Sequence, residues 1–256
     1  AFSSNYELYG EMTGRVMTII RDMAPECFRY SIDEAFAVLD GFTVDELHEW
    51  GTALHDRVMQ SVGMPVSIGI APTKTMAKMA SHYAKKYAGY GHCCVIDTEE
   101  RRIKAEQLYP IGEVWGIGRR YQARLESMGI RTAYDFASHA QSWVSATFRT
   151  VIMERTWAEL NGVDCIPDDI PAKKKSVCTS RSFRDMTSDF DTLHTHIANF
   201  AARCAEKARR QRSVATVVGV FVDTNHFRTD LTQYWNMTEQ TLRMPSASTV
   251  EIVKAA

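Results

Sequence analysis

The chain has 256 residues, 45% of them hydrophobic, which is enough for two or three compact domains with cores of their own. It contains no run of 18 apolar residues and no secretory leader, so we expect a soluble, cytoplasmic protein that neither spans nor contacts a membrane. The net charge of -1 does not by itself indicate a nucleic-acid partner. The six cysteines form no C-x-x-C pair and no histidine spacing matches them, which argues against a zinc site.

The first hundred residues alternate helix and strand signals, as α+β and α/β units do. Apolar residues at helical spacing predict a helix over residues 6–20, and two β-rich runs at 28–32 and 35–39 predict strands joined by a tight turn. A capping box of Thr43 and Glu46 then predicts a second helix. A strand at 66–70 and a third helix after Pro72-Thr73 complete this part of the chain.

The later part of the chain changes character near residue 111. Two short helices are predicted around the Gly-Ile-Gly of residues 116–118 and a second Gly-Ile turn, and helical pattern continues to about residue 161. Residues 167–175 have the composition of a linker. An alternating run at 177–183 predicts a strand, followed by a long helix. Two more strands, at 214–222 and 239–244, and the opening of a final helix follow; since the chain also begins inside a helix, we expect a piece of a longer protein.

Two carboxylates, Asp33 and Glu34, stand in the turn between the first two predicted strands. Such a turn presents both groups at one edge of a sheet, where carboxylate oxygens can hold Mg²⁺ together with substrate phosphates and water. A pair of these ions stabilises the attacking and leaving oxygens in phosphoryl transfer. An ordinary polar hairpin turn is the alternative, and for two acidic residues taken alone it is the commoner case.

Three lysines share one face of the third predicted helix. With about 100° per residue, Lys74, Lys78 and Lys85 fall within about 40° of each other, and the apolar side chains fall on the opposite face. The positive end of the helix dipole also points toward the sheet edge, so a polyphosphate suits this geometry. Solvated lysines opposite a buried face are the alternative.

A glycine hairpin follows at residues 114–120. Gly116 and Gly118 allow backbone N–H groups to approach a phosphate, and Arg119 and Arg120 add positive charge. The pattern is typical of a helix-hairpin-helix turn, which holds a DNA duplex in register without reading its bases.

Taken together, these segments resemble the Y-family DNA polymerases, in the order of that family and over essentially the whole chain. The segments are residues 2–9, 30–36, 69–75, 77–78, 84–86, 114–120 and 180–183. The resemblance implies an α+β fold with a partial ferredoxin-like palm, a helical thumb with a helix-hairpin-helix, and a partial α/β little-finger domain. The implied limits are 1–98 for the palm, 99–165 for the thumb, 166–175 for a linker and 176–256 for the truncated little finger.

The resemblance also implies an activity. This is template-directed DNA synthesis past damaged bases, the error-prone translesion step of DNA repair and SOS mutagenesis, by two-metal nucleotidyl transfer with Mg²⁺. Asp33 and Glu34 carry over as the catalytic, metal-binding carboxylates. Lys85 carries over as the triphosphate-binding lysine, with Lys78 and Lys74 on the same helix face.

The implied partners are primer-template DNA and a dNTP, and by the same resemblance a UmuD′ dimer, a RecA filament and a sliding clamp. The glycine hairpin, with Gly116, Gly118, Arg119 and Arg120, is implied to contact the DNA backbone. In the little finger, Arg181 and Arg184 are the candidate phosphate contacts.

The chain departs from the family pattern at both ends. The first catalytic carboxylate and the fingers segment of the family have no counterpart here, and at the other end the little finger is incomplete and the clamp-binding peptide expected beyond it is absent. We therefore expect this piece alone to lack polymerase activity although the whole protein has it. Two other interpretations stay open. A nucleotide cyclase also has a palm with an acidic turn but needs no duplex clamp, and the chain could be a non-catalytic DNA-binding or partner-binding module.

Overall fold

A computed structural model describes residues 4–24, 26–167, 174–183 and 186–256. The chain divides into two compact units, Ala1–Asp169 and Ile170–Ala256. In the described part of the chain, no helix is both long and apolar enough to cross a membrane.

The first unit contains eight α-helices and four short strands among its described residues. They are α1 (Tyr6–Met23), β1 (Cys27–Arg29), β2 (Ala35–Ala37), α2 (Val44–Val62), β3 (Ile68–Ile70), α3 (Lys74–Lys86), β4 (Cys93–Val95), α4 (Glu99–Leu108), α5 (Arg119–Ser127), α6 (Ala133–Ala137), α7 (Gln141–Phe148) and α8 (Val151–Leu160). Strands β1 and β2 form an antiparallel pair, and β3 and β4 form a separate parallel pair. The strands predicted at 28–32, 35–39 and 66–70 are therefore present, but each is only three residues long.

Helix α2 illustrates how local chemistry sets the element boundaries. The Thr43 side chain accepts a hydrogen bond from the Glu46 N–H, and the Glu46 carboxylate accepts one from the Thr43 N–H, which confirms the predicted capping box. The Thr43 hydroxyl and the Thr43 N–H both donate to the Glu46 carboxylate, which holds the pKa of Glu46 below its ordinary value. The helix ends at Gly63, whose φ of 69° lies in the left-handed region that glycine adopts without strain.

Two hydrophobic clusters stabilise the first unit. The smaller one joins α1 to α2 through Ile19, Leu54 and Val58. The larger one runs without a break from α3 and β4 through the helices α4–α8, with Phe136 and Leu125 fully buried in it. The packing is therefore continuous across residue 98, where the sequence predicts a domain boundary; that boundary stays a prediction.

Two carboxylates are buried among these helices. Glu106 on α4 is held by Arg102, whose Nη1 lies 3.0 Å from Glu106 Oε1, and burial raises the pKa of Glu106 to about 7. Glu159 on α8 accepts a hydrogen bond of 2.9 Å from the Thr75 N–H with Oε2, at the first turn of α3. The Glu159 contact satisfies an amide that would otherwise lack a partner at a buried helix start, so α8 fixes where the lysine-bearing helix α3 begins.

The second unit is smaller. Its described elements are α9 (Phe190–Arg210), β5 (Ala215–Asp223), β6 (Trp235–Ser246) and α10 (Thr249–Ala255). Strands β5 and β6 form an antiparallel pair, and α9, α10 and β5 share a core made of Ala201, Ala205, Val218 and Ile252. The predicted long helix, the strand near 214–222 and the terminal helix are confirmed, and β6 is longer than predicted.

The strand predicted at 177–183 is wrong, because the described residues 174–183 adopt no regular structure. Side chains and carbonyl groups of this segment contact helix α9. The Lys207 ammonium donates to the Cys178 carbonyl at 2.9 Å, and the rings of Phe183 and His196 meet at 4.9 Å. Alternating side chains suit a strand only where a neighbouring strand supplies hydrogen bonds, and here a helix occupies that place.

Gly69 allows β3 to pack directly on α3. A Cβ at this position would lie 2.1 Å from both the Ala77 carbonyl oxygen and the Ser81 nitrogen, which are backbone atoms of the helix. We therefore expect Gly69→Ala to lower the free energy of unfolding by about 3 kcal/mol, since the strand and helix have to separate. Urea unfolding of the whole chain measures this loss.

Gly14 is the matched control. It lies inside α1, and a Cβ there meets no atom within 4 Å. Gly14→Ala should stabilise the chain by about 0.5–1 kcal/mol, because alanine loses less backbone entropy in a helix. Equal effects of the two substitutions would contradict close packing at Gly69.

Candidate functional site

The turn between β1 and β2 presents the two predicted carboxylates. The Tyr30 and Ser31 N–H groups both donate to the Glu34 carbonyl at 3.0 Å, which closes the turn. The Ser31 hydroxyl donates to Asp33 Oδ1 at 2.5 Å. Asp33 and Glu34 are both exposed, so solvent reaches both carboxyl groups.

Helix α1 anchors this turn from behind. The Thr13 hydroxyl donates a hydrogen bond to the Ile32 carbonyl, the residue just before the two carboxylates. The position of the acidic turn is therefore set by three elements, β1, β2 and α1, rather than by the two short strands alone.

Lys78 of α3 brings a positive charge to the acidic turn. Its ammonium nitrogen lies 2.6 Å from Glu34 Oε1. The same nitrogen lies 5.1 Å from the centre of the Tyr30 ring and 5.2 Å from the centre of the Trp115 ring, within the range of cation–π attraction. The Lys78 ammonium is thus held by one carboxylate and two aromatic faces.

An aromatic cluster joins the acidic turn to the glycine hairpin. The centres of the Tyr30 and Trp115 rings are 5.2 Å apart in an edge-to-face arrangement, and those of Phe36 and Trp115 are 5.9 Å apart. The Trp115 indole N–H also donates to the Tyr30 hydroxyl at 3.3 Å. Sequence reasoning assigned no role to Tyr30 or Trp115. The available signal was one aromatic residue in each of two predicted motifs, Tyr30 before the acidic turn and Trp115 in the glycine hairpin.

The glycine hairpin has two glycines with different structural roles. Gly116 has a φ of 94°, and a Cβ on it would lie 2.5 Å from the Thr156 hydroxyl, so it needs both the left-handed backbone and the space. Gly118 has a φ of -83° and is the N-cap residue of α5. A Cβ on Gly118 would meet no atom within 4 Å. The surface in front of α5 is therefore open.

The first turn of α5 carries two cations. Arg119 and Arg120 are both exposed, and this turn contains no acidic residue. Positive side chains at the positive end of a helix dipole are unfavourable unless an anion lies nearby. A nearby anion would therefore stabilise this helix end.

The other two lysines of the predicted face lie apart from the acidic turn. The Lys74 ammonium is 3.1 Å from Asp164 Oδ1, after the end of α8. Lys85 is exposed in the last turn of α3, about 10 Å along the helix axis from Lys78. Of the predicted lysine face, Lys78 is brought to the carboxylates, whereas Lys74 is directed to the loop after α8.

The second unit carries the remaining predicted phosphate contacts. Arg181 is exposed in the segment that packs along α9. Arg184 lies outside the described residues. The role of both arginines stays a prediction.

The acidic turn offers the oxygen ligands that Mg²⁺ prefers. Asp33 and Glu34 supply two adjacent, exposed carboxylates, and this ion commonly takes one or two protein carboxylates with water and substrate phosphates. The residues present therefore fit the ion in kind. Within the described ranges, no group of three or more histidine, cysteine, aspartate or glutamate side chains could hold a metal.

The fold is similar to that of a solved Y-family DNA polymerase chimera of Dbh and Dpo4, with a TM-score of 0.70. The similarity covers 98% of this chain and 69% of the chimera, at 17% sequence identity. At that identity the likeness establishes the fold alone, which is a mixed α/β fold similar to Y-family polymerase domains.

Sequence similarity defines the family. Residues 1–82 match the impB/mucB/samB family, and residues 174–256 match the C-terminal domain of the same family. Protein UmuC of Salmonella typhimurium is 37% identical over 259 residues, which include 100% of this chain and 61% of UmuC. DNA polymerase IV of Dehalococcoides mccartyi is 27% identical over 256 residues, with 98% of this chain and 62% of that protein covered.

The chain belongs to the impB/mucB/samB family, and the resemblance to Y-family polymerases in its sequence is confirmed. It spans about 61% of the length of the first curated relatives that it matches.

The two hairpin glycines should respond differently to alanine. Gly116→Ala should lower the free energy of unfolding by about 1–3 kcal/mol, since it forces alanine into the left-handed region against Thr156. Gly118→Ala should change it by less than about 0.5 kcal/mol, because its backbone is ordinary and the space is open. Urea unfolding of both variants tests this, and equal losses would contradict the geometry.

Proposed function

We propose that the whole protein synthesises DNA across damaged template bases, and that this chain provides two metal-binding carboxylates and a contact to the duplex backbone. The observation that carries the proposal is the meeting of three motifs. Glu34 binds Lys78, Lys78 lies against Trp115, and Trp115 directly precedes Gly116 of the hairpin. The names of the relatives, DNA polymerase IV among them, support the same activity.

The proposed reaction is nucleotidyl transfer. The 3′-hydroxyl oxygen of a primer attacks the α-phosphorus of a dNTP, the bond to the bridging oxygen breaks, and pyrophosphate leaves. Bound Mg²⁺ would stabilise the negative charge on the attacking and leaving oxygens. Asp33 and Glu34 would hold the ions, and the β1–β2 turn with Thr13 behind it would keep both carboxylates at fixed positions.

The lysines of α3 are proposed to attract the triphosphate. Lys85 is exposed, so a phosphate can reach its ammonium from solvent. Lys78 is partly buried beside Glu34, and we infer that it balances the charge of the carboxylate as well as that of the nucleotide. Lys74 would act from the first turn of the helix, next to Asp164.

The start of α5 is the proposed duplex contact. No N-cap side chain bonds to its first N–H groups, and these groups, the positive end of the helix dipole and the arginines of its first turn all favour a phosphate. Such a contact holds the duplex without reading its sequence, which suits an enzyme that must accept any template. Arg181 and Arg184 of the second unit are proposed as further backbone contacts.

The finer assignments of the resemblance are part of the proposal. They are a ferredoxin-like palm over residues 1–98, a thumb with the helix-hairpin-helix over 99–165, a linker over 166–175 and a little finger from 176. Action in the cytoplasm with Mg²⁺, a UmuD′ dimer, a RecA filament and a sliding clamp belongs to the same set. The mixed α/β fold and the family membership support this arrangement.

Replacing one carboxylate in the full-length protein tests the chemistry. Asp33→Asn should lower the rate of primer extension opposite a damaged base by about 100-fold or more, because a metal ligand contributes several kcal/mol to the transition state. Asp40→Asn, at an exposed aspartate after β2, is the control and should keep the wild-type rate. Duplex affinity, measured with a chelator present, should be unchanged in both. Wild-type extension by Asp33→Asn would refute the assignment.

Salt dependence of duplex binding tests the contact at α5. Arg119→Gln should reduce the slope of log Kd against log salt by about one, because one fewer counterion is released from the DNA. Arg15→Gln is the matched control, since Arg15 is exposed on α1 and paired with Glu11. Fluorescence anisotropy with a labelled primer-template at several salt concentrations gives both slopes. An unchanged slope in Arg119→Gln would argue against a phosphate at this arginine.

A further inference from the structure

We propose that Trp115 is a positioning residue that couples duplex binding at the glycine hairpin to the placement of Glu34, acting through Tyr30 and Lys78. The inference rests on the proposed function, since it takes the hairpin ligand to be a duplex and the Glu34 ligand to be a divalent cation. It adds a link between those two ligands.

The first step is the attachment of Trp115 to the hairpin. Trp115 directly precedes Gly116, and its carbonyl accepts a hydrogen bond of 3.4 Å from the Thr156 hydroxyl. The same hydroxyl is the atom that leaves no room for a side chain on Gly116. The backbone of Trp115 is therefore fixed to the hairpin turn, and a phosphate that orders the hairpin also orders the indole.

The second step is the contact between the indole and the acidic turn. Tyr30 lies 85 positions earlier in the chain, and its hydroxyl accepts the indole N–H at 3.3 Å. Trp115 differs in this from Trp143 and Trp157, which pack against the large hydrophobic cluster of the helices. The contacts of Trp115 are with the rings of the β1–β2 hairpin and with Lys78.

The third step is the position of the Lys78 ammonium. It is held by Glu34 Oε1 on one side and by the rings of Tyr30 and Trp115 on the other. A divalent cation bound at the Glu34 oxygen repels this ammonium, so metal binding requires Lys78 to shift away from the carboxylate. The ammonium can stay near the Tyr30 and Trp115 rings, because cation–π attraction compensates part of the free energy lost with the ion pair.

The coupling follows from these contacts. A duplex that fixes the hairpin also fixes the Trp115 ring. A fixed ring lowers the entropic cost of holding the Lys78 ammonium over the aromatic faces once it has left Glu34. Duplex binding should therefore strengthen binding of the divalent cation. By linkage the cation strengthens duplex binding by the same factor.

The experiment measures that factor with the whole 256-residue chain. Anisotropy titrations of a labelled primer-template duplex give the Kd with a chelator present and with saturating Mn²⁺. We expect Mn²⁺ to lower the wild-type Kd about fivefold or more. Trp115→Leu should keep the metal-free Kd within about twofold and bring the ratio of the two values close to one. Trp115→Phe should keep part of the coupling, because a ring remains over Lys78.

Trp143→Phe is the matched control. Trp143 lies on α7, where its ring stacks on His139 at 3.9 Å, and the substitution should keep the wild-type ratio. If Trp115→Leu fails to fold, as judged by near-ultraviolet circular dichroism, Tyr30→Phe replaces it. That variant removes only the hydroxyl that accepts the indole N–H, and it should also reduce the ratio.

A second readout does not involve DNA. The indole ¹H–¹⁵N signal of Trp115, identified by its loss in Trp115→Phe, should shift when Mg²⁺ alone is added, whereas that of Trp143 should not. A tryptophan that only stabilised the fold would show no such shift.

The outcomes separate this inference from the proposed function. A wild-type ratio of the two Kd values in Trp115→Leu or Tyr30→Phe would overturn the inference. So would a Trp115→Leu chain whose metal-free Kd rises by the same factor by which its ratio falls. A wild-type chain that binds the duplex without any effect of Mn²⁺ would also overturn it, while the duplex contact stands. A wild-type chain that does not bind the duplex at all would overturn both.

Discussion

The ion pair between Lys78 and Glu34 is the contact on which the candidate site depends. Both partners keep part of their exposure, 23% for the Lys78 side chain and 44% for that of Glu34, so the pair contributes no more than about 1 kcal/mol to stability. Its importance is positional, since it joins α3 to the β1–β2 turn. The aromatic rings of Tyr30 and Trp115 extend this junction to the glycine hairpin, which makes one site of three separate segments.

The sequence predicted the parts of this site that depend on local chemistry. The acidic turn follows from two short β-rich runs around Asp33 and Glu34, and the capping box of α2 follows from side chains that bond to backbone groups nearby in the sequence. The cationic face of α3 follows from helical periodicity. The order of the motifs along the chain then indicated the family, which no single motif does. The fold and the family membership confirm that resemblance.

The parts that could not be predicted depend on contacts between distant segments. Periodicity places Lys74 and Lys78 on one face, but only packing decides that one meets Asp164 and the other Glu34. The partnership of Trp115 with Tyr30 spans 85 positions and leaves no periodic signal. Likewise, the alternation of residues 177–183 predicted a strand because the pattern does not reveal whether a strand or a helix lies beside it.

Close backbone packing explains how two short, separate strand pairs can position the candidate site. Each strand of the first unit is three residues long, too short to fix a carboxylate by strand pairing alone. Gly69 lets β3 lie directly on α3, and Glu159 fixes the start of that helix from α8. The position of Lys78 is therefore set mainly by the packing of α3 in the large helical core and less by the strands. It follows that the helices after residue 98 help to define the geometry around Glu34, although they contribute no carboxylate to it.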